Sequence, residues 1–591
     1  MRERYQKVCI SFDYLSRILS VLASGGKVYL VIIFLLAIFF GVLPGISVIV
    51  MQAIVNTLQA SEQNIRYIIM LMAIYIGIDI FTGVTGALSA YIENVLKMKS
   101  GITLKMSLLE KVKELSLKDF ENTETYNLIQ RAMSTSIENL FSFFKSFVHI
   151  SQSLISMIMF SLILISWHWW LLPIIIIAPI IGTFIATHYG KKQFLVQKER
   201  AGDARKHWYY EFLLTNDMAF KEIKTFNIGD YLRNKYKQLS LIFLKQDRHL
   251  LKQRTIAQSV LLIIDHLILA AILVFIIMQA FVGQILLGDL IAYTRSVSNI
   301  KSSTQILSSH ISSIYQSVLN ISLYFDFIDM KSETVENIVN QSLTTIPFIE
   351  VKDLSYRYKS KNDFALKNIN LKIERGSLIA FIGENGSGKT TLVKILSTLY
   401  NDYHGDIYFG KQNLRDLNTE EVRKKVGILF QDFMKYELSA KENVAFGQLE
   451  KIDNSSEISR ALIKTGMQEK MADLDSQLGF WFDDGVQLSG GEWLRVALSR
   501  AFIRDAELYL LDEPNSALDS ASERHVLESF KELAKNKIGI IVSHRIASIK
   551  NIVDQIAVFD NGGIQASGTH DELLETSKIY RKLYEQENGM H

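Results

Sequence analysis

SLIAFIGENGSGKTTLVKIL, residues 377–396, decides how the second half of the chain folds. An apolar run is followed by GENGSGKT (383–390) and then by a helical pattern of apolar residues. Strand, glycine-rich turn and helix in that order are the context in which a loop can cradle phosphates. Gly383, Asn385, Gly386, Ser387 and Gly388 form the turn, whose backbone N–H groups are the donors together with the helix N-terminus. Lys389 is placed to reach the terminal phosphates and the Thr390 hydroxyl to ligate magnesium, with Thr391 beside them.

Downstream, AELYLLDEPNSALD (506–519) reads as a buried strand ending in two adjacent carboxylates. Asp512 suits a magnesium ion held through water, and Glu513 suits the polarisation of an attacking water. A lone Asp-Glu pair after a strand is common; one that follows a phosphate loop by about 120 residues fits phosphate chemistry better. Gln431 in VGILFQDF and His544 in IGIIVSHRI each follow a strand, where they can reach the metal, the attacking water or the terminal phosphate. Tyr358 in LSYRY can stack on a base. Finally, DGVQLSGGEWLRVAL (484–498) opens a helix on Ser489, Gly490 and Gly491, an anion site by its free N–H groups although it contains no lysine.

Before residue 344 the chain has another character. Residues 28–54 carry no charge and, at about 1.5 Å per helical residue, exceed the roughly 30 Å hydrocarbon core of a bilayer. The stretch is too long for the core of a signal peptide. Similar runs at 67–92, 147–167, 169–187, 256–282 and, more polar, 285–305 predict six spans. The long loops at 93–144 and 188–255 are rich in Lys and Arg while the alternate turns have almost none, so the termini and long loops should be cytosolic. Trp167, Trp169 and Trp170 then anchor the outer interface. Asp79, Asp265, His266 and Arg295 are polar exceptions within the spans, and paired packing is the favoured reading over substrate contact. The net charge of +3 gives no reason to expect a nucleic-acid partner, and one cysteine, Cys9, leaves neither a disulfide framework nor a cysteine zinc site.

The order of Tyr358, GENGSGKT, Gln431, LSGGE, LLDE, SALD and His544 resembles the ATP-binding cassette (ABC) transporter superfamily, across nearly the whole chain. The resemblance implies an all-α six-helix transmembrane domain (1–328), a linker (329–345) and an α/β P-loop ATP-binding cassette domain (346–591). It also implies ATP and Mg2+ as ligands and Asp519 in the ATP site. Ser489, Gly490 and Gly491 are expected to face the γ-phosphate held by a second cassette, so that a homodimer contains two complete sites. Two residues depart from the family pattern: Glu492, where glutamine is usual, and Asn515, where Thr or Ser is usual. By similarity to type IV exporters, residues 116–127 and 213–226 contain coupling helices.

Residues 207–232, 429–447 and 477–493 further resemble bacterial lanthipeptide exporters. That similarity implies a multi-pass protein of a bacterial cytoplasmic membrane, in contact with its lipids, which exports a modified peptide with its leader attached. Peptide-modifying enzymes would be its neighbours at the membrane. Too few residues precede the first span for a leader-cutting peptidase domain, so a separate protease is expected to cleave the leader. A multidrug exporter or lipid flippase is the alternative, and an ATP-gated membrane protein that does not pump is a further one.

Overall fold

The computed structural model describes residues 2–60, 64–134, 137–331, 343, 345–359, 363–514 and 518–587. It divides into two compact units: Met1–Leu115 with Asn122–Ser332, and Ser116–Glu121 with Glu333–His591. Most of the expected linker at 329–345 lies outside the described residues.

The first unit is built from α1 (Arg2–Gln59), α2 (Ile65–Lys113), α4 (Thr123–Ser134), α5 (Ile137–Ile165), α6 (Leu171–Glu199), α7 (Ala201–Thr215), α8 (Asp217–Thr225), α9 (Gly229–Phe281) and α10 (Leu287–Ile328); the short α3 (Leu117–Glu121) belongs to the second unit. Among the described residues, five helices are long and apolar enough to cross a membrane, lying in α1, α2, α5, α6 and α9. The expected sixth span falls in α10, which is not among those five. Its Ser296, Ser303, Thr304 and Ser308 are buried, because α10 packs along α5, α6 and α1. Lys301 of α10 lies 2.8 Å from Asp265 of α9, both side chains being about a tenth exposed. The Asp265 charge is thus compensated within the unit, as the paired-packing reading requires. Asp79, His266 and Arg295 are exposed.

At the start of α10, Asp289 accepts hydrogen bonds from Gln52 and Asn56 of α1, each 2.8 Å, and from the Leu286 backbone N–H. Trp167 is more than an interfacial anchor: it stacks on Tyr293 with ring centroids 4.5 Å apart and also meets Phe275. Trp169 is exposed, as expected of an interfacial ring.

The second unit contains two sheets among the described residues. β1 (Phe348–Tyr356), β2 (Leu366–Glu374), β4 (His404–Phe409) and β5 (Gln412–Asn413) form an antiparallel sheet in the order β2-β1-β4-β5. β3 (Leu378–Gly383), β6 (Val426–Leu429), β7 (Leu508–Asp512), β8 (Ile538–Val542), β9 (Gln555–Asp560) and β10 (Gly563–Gly568) form the other, in the order β10-β9-β3-β8-β7-β6. Its strands from β9 to β6 are parallel, and β3, β7 and β8 are buried throughout, hence their unbroken apolar sequences. Helices α11 (Lys389–Leu396), α12 (Thr419–Lys424), α13 (Ala440–Ala445), α14 (Ser455–Lys464), α15 (Gly490–Phe502) and α16 (Ser520–Ala534) complete the parts that position the site.

Candidate active site

Parallel strands bring their carboxyl ends to one edge, where an open α/β sheet binds its ligands. β3 delivers the phosphate loop to that edge, β7 delivers Asp512 and Glu513, and the segments after β6 and β8 deliver Gln431 and His544. The register aligns them: Leu429 pairs with Leu511, and Asp512 with Val542. Four sequence segments up to 160 residues apart thereby line one cleft of about 720 Å³.

The phosphate loop has the backbone its glycines permit. Gly386 and Gly388 have φ of 80° and 105°, and a Cβ on Gly388 would stand 2.6 Å from the Ala365 carbonyl oxygen. Lys389 Nζ donates to the carbonyl oxygens of Gly383 (2.8 Å) and Glu384 (2.9 Å) and to Ser387 Oγ (3.2 Å), so its ammonium is held within the loop it serves. Burial pushes it down to about 8, against the opposing pull of Glu513 and Asp512. Asn385, Gly386, Gly388, Lys389, Thr390 and Thr391 line the cleft; Gly383 and Ser387 are not among its lining.

Glu513 is held on both sides. Gln431 Nε2 donates to its Oε2 at 2.8 Å, and His544 Nε2 lies 2.9 Å from its Oε1. Its backbone is left-handed (φ 53°), an uncommon conformation for a residue with a Cβ, and its N–H donates to Val542 O. That turn, which no sequence pattern revealed, points the residue after a buried strand into the cleft. Burial, followed by the charge of Lys389, lowers the His544 pKa, with Glu513 opposing.

Asp512 is fully buried, and among the described residues neither carboxylate oxygen has a hydrogen-bond partner of good geometry. Burial pushes it up to about 6; the Thr390 hydroxyl is close enough to favour the charged form and the Glu513 charge opposes it. The buried Asp512 carboxylate beside the Thr390 hydroxyl, and the amide oxygen of Gln431 in the same cleft, offer hard oxygen donors. Among the described residues no cluster of three or more His, Cys, Asp or Glu forms a closed cage. Such a site suits a Mg2+ that completes its shell with water and phosphate oxygens.

Tyr358 is half-buried over α11, its hydroxyl 3.1 Å from Thr391 Oγ1. Sequence reasoning missed Phe364, Ala365, Lys394 and Glu121, which also line the cleft. Glu121 lies in the stretch read as a coupling helix, but no local signal tied it to the cleft. Ser489, Gly490, Gly491 and Asp519 are not among the cleft's lining. Asp519 caps α16, accepting from the N–H groups of Ala521 and Ser522, while Asn515 and Ser516 lie outside the described residues.

Ser489 is the N-cap of α15. The Glu492 N–H donates to Ser489 Oγ (3.3 Å) and the Ser489 N–H to Glu492 Oε2 (2.7 Å), a capping box. The other Glu492 oxygen meets Lys470 Nζ at 2.6 Å. That lysine, followed by the bonds to Ser489, pulls the Glu492 carboxyl down to about 2 against the cost of burial. The unusual glutamate is therefore a compensated charge.

The family models agree with this geometry: one described as ABC transporter matches residues 366–516, and one described as ABC transporter transmembrane region matches 30–300. The chain is 34% identical to the subtilin transport ATP-binding protein SpaT of Bacillus subtilis, over 93% of this chain and 90% of that one.

This chain belongs to the ABC transporter family.

The transporter is also 33% identical to the nisin transport ATP-binding protein NisT of Lactococcus lactis, over 92% of this chain and 91% of that one. Its fold is that of a solved bacterial Atm1-family ABC exporter with ATP bound, with a TM-score of 0.80, 19% identity and 96% and 98% of the two chains covered. It is a multi-pass membrane protein whose α/β domain binds ATP and couples ATPase activity to export.

Proposed function

We propose that two copies of the chain form one exporter for a modified peptide, and that each copy completes the other's ATP site. The observation that carries the ATPase part is the carboxylate of Glu513, gripped by Gln431 and His544 at the mouth of the phosphate loop. In this reading Glu513 polarises the attacking water, while His544 and Gln431 fix its two oxygens and face the terminal phosphate. Lys389 neutralises charge on the β- and γ-phosphates, the loop from Gly383 to Thr391 cradles them, and Tyr358 stacks on adenine. Thr390, Asp512 and Gln431 would hold Mg2+, which when bound neutralises charge on the phosphate oxygens. Asp519 acts indirectly, by fixing the start of α16.

Ser489, Gly490 and Gly491 serve the site of the second copy. Among the described residues, a Cβ on Gly490 would meet nothing within 4 Å, and its φ is not positive, so the packing of these residues around it does not demand glycine. Close approach by a ligand carried on another chain supplies a physical reason.

In the membrane, α10 acts as the sixth span, taking residues 1–328 as the transmembrane domain, 329–345 as the linker and 346–591 as the cassette. The excess of Lys and Arg in the long loops supports cytosolic termini, and the bacterial relatives support residence in a bacterial cytoplasmic membrane. α3 and α8 fall within the segments read as coupling helices. The names of the subtilin and nisin transport relatives support a lanthipeptide as cargo; that it leaves as a precursor with its leader attached is part of the proposal. Coexpression with lanthipeptide-modifying enzymes and a precursor, without a leader protease, should yield modified, uncleaved peptide outside the cell. Peptide retained inside despite an active ATPase would refute the cargo.

A further inference from the structure

The cleft wall holds a carboxylate that the ATPase reading does not use. Glu121 ends α3, a five-residue helix in the segment Ser116–Glu121, which forms one compact unit with the cassette. Three contacts fix that segment: Leu117 packs against the cassette core, Lys118 Nζ meets Asp402 Oδ2 at 2.7 Å, and Glu121 Oε1 accepts from the Tyr400 hydroxyl at 2.6 Å. Asp119 braces the helix start by accepting from the N–H and hydroxyl of Ser116.

Tyr400 is almost fully buried, so Glu121 satisfies a phenol that water does not reach. Burial, followed by the bond to Glu121, raises the Tyr400 pKa, and the phenol remains a donor to the carboxylate. Its ring stacks on Tyr356 (centroids 5.2 Å apart, 27°) and meets Tyr358 edge-on (5.7 Å, 90°). Tyr358 is therefore held at its hydroxyl by Thr391 and at its ring by Tyr400 and Tyr356.

We propose that Tyr400 and Glu121 are positioning residues for base recognition: the Ser116–Glu121 segment, through its bond to Tyr400, sets the ring of Tyr358 against adenine. The inference rests on the reading of Tyr358 as the adenine platform. The segment is covalently continuous with α2 and α4, so displacing it leaves the buried phenol without its acceptor and loosens the platform. By linkage, a bound base strengthens the seating of the segment by the same factor. ATP and inorganic triphosphate then differ in what they report: the first needs the platform, and the second only the phosphate loop.

The test uses the full-length purified transporter in lipid nanodiscs, measuring the KM for ATP, kcat, and the inhibition constant of inorganic tripolyphosphate. Tyr400→Phe and Glu121→Ala should each raise the KM about three- to tenfold, less than the full worth of one hydrogen bond to a charged group because this bond reaches the base only through the Tyr358 ring. Inhibition by tripolyphosphate should change less than about twofold, because the phosphate loop keeps its own bonds. Glu121→Gln should restore the KM, since its carbonyl oxygen can accept from the phenol. An unchanged KM in Tyr400→Phe and Glu121→Ala would overturn the inference, as would an equal loss of ATP and tripolyphosphate binding. Tyr358→Ala separates the two levels. If it loses ATP selectively while the other two variants do not, the positioning role alone fails; if it does not, the platform reading fails and the inference with it.

Discussion

At the residue scale, Glu513 is the proposed base, and the isosteric change Glu513→Gln keeps its shape while removing its charge. Turnover should fall by about 10²-fold or more, the worth of a positioned general base, with the KM for ATP within about threefold of the parent. Steady-state ATPase assays check this, and parental turnover would remove Glu513 from its role. Glu492 makes a different prediction. Glutamine can also close a capping box, so Glu492→Gln should leave α15 intact while freeing Lys470 from its 2.6 Å partner. Because Lys470 pulls the carboxyl down to about 2, Glu492 is ionised across the working range. The folded pKa lies below the usual carboxylate value, so this pair contributes at all pH above that value and fades only as pH falls toward about 2. The ratio of parent to Glu492→Gln ATPase should therefore be flat from about pH 5.5 to about pH 8.5. A ratio that bends within that range would show that the charge is not held by Lys470.

At the element scale, α9 and α10 are joined by the Asp265–Lys301 pair, about a tenth exposed. Removing one partner of such a buried pair strands the other charge, at a cost of about 3–5 kcal/mol in soluble proteins. Asp265→Ala should thus lower the thermal unfolding midpoint in detergent, and a second change, Lys301→Met, should recover part of the loss. No recovery would mean that the pair is not what stabilises the contact. Helix α15 carries the trans prediction. Dimers with Ser489→Arg on one copy and Lys389→Ala on the other should place both lesions in one composite site and keep one intact. Dimers pairing a doubly altered copy with the parent should damage both sites. Equal ATPase of the two mixtures, with composition verified, would argue that α15 acts within its own chain.

The same elements show what the sequence could and could not disclose. The ends of β3, β6, β7 and β8 were legible, because a buried parallel strand leaves an apolar run and its next polar residue sits at the sheet edge. Asp512, Glu513, Gln431 and His544 all fall within two residues of a strand end, and α3 and α8 lie within the stretches singled out beforehand. Glu121 was not found, since its relation to Tyr400 spans 279 residues and follows no period. Lys301 was overlooked because α10 is serine-rich and more polar than the other spans, so one lysine does not stand out until Asp265 is seen beside it. Nor does sequence betray the left-handed turn at Glu513, where the surrounding fold overrides the local preference.

At the scale of the whole molecule, the proposed hydrolysis at Glu513 has to drive a peptide across the membrane. The most direct measurement uses the purified transporter in sealed vesicles with the cassettes facing outward, supplied with ATP, magnesium and a modified precursor peptide that retains its leader. The parent protein should accumulate the peptide inside above its outside concentration, and Glu513→Gln should not accumulate it. Equal accumulation by both, or vesicles in which lipid is moved while the peptide stays outside, would contradict the account.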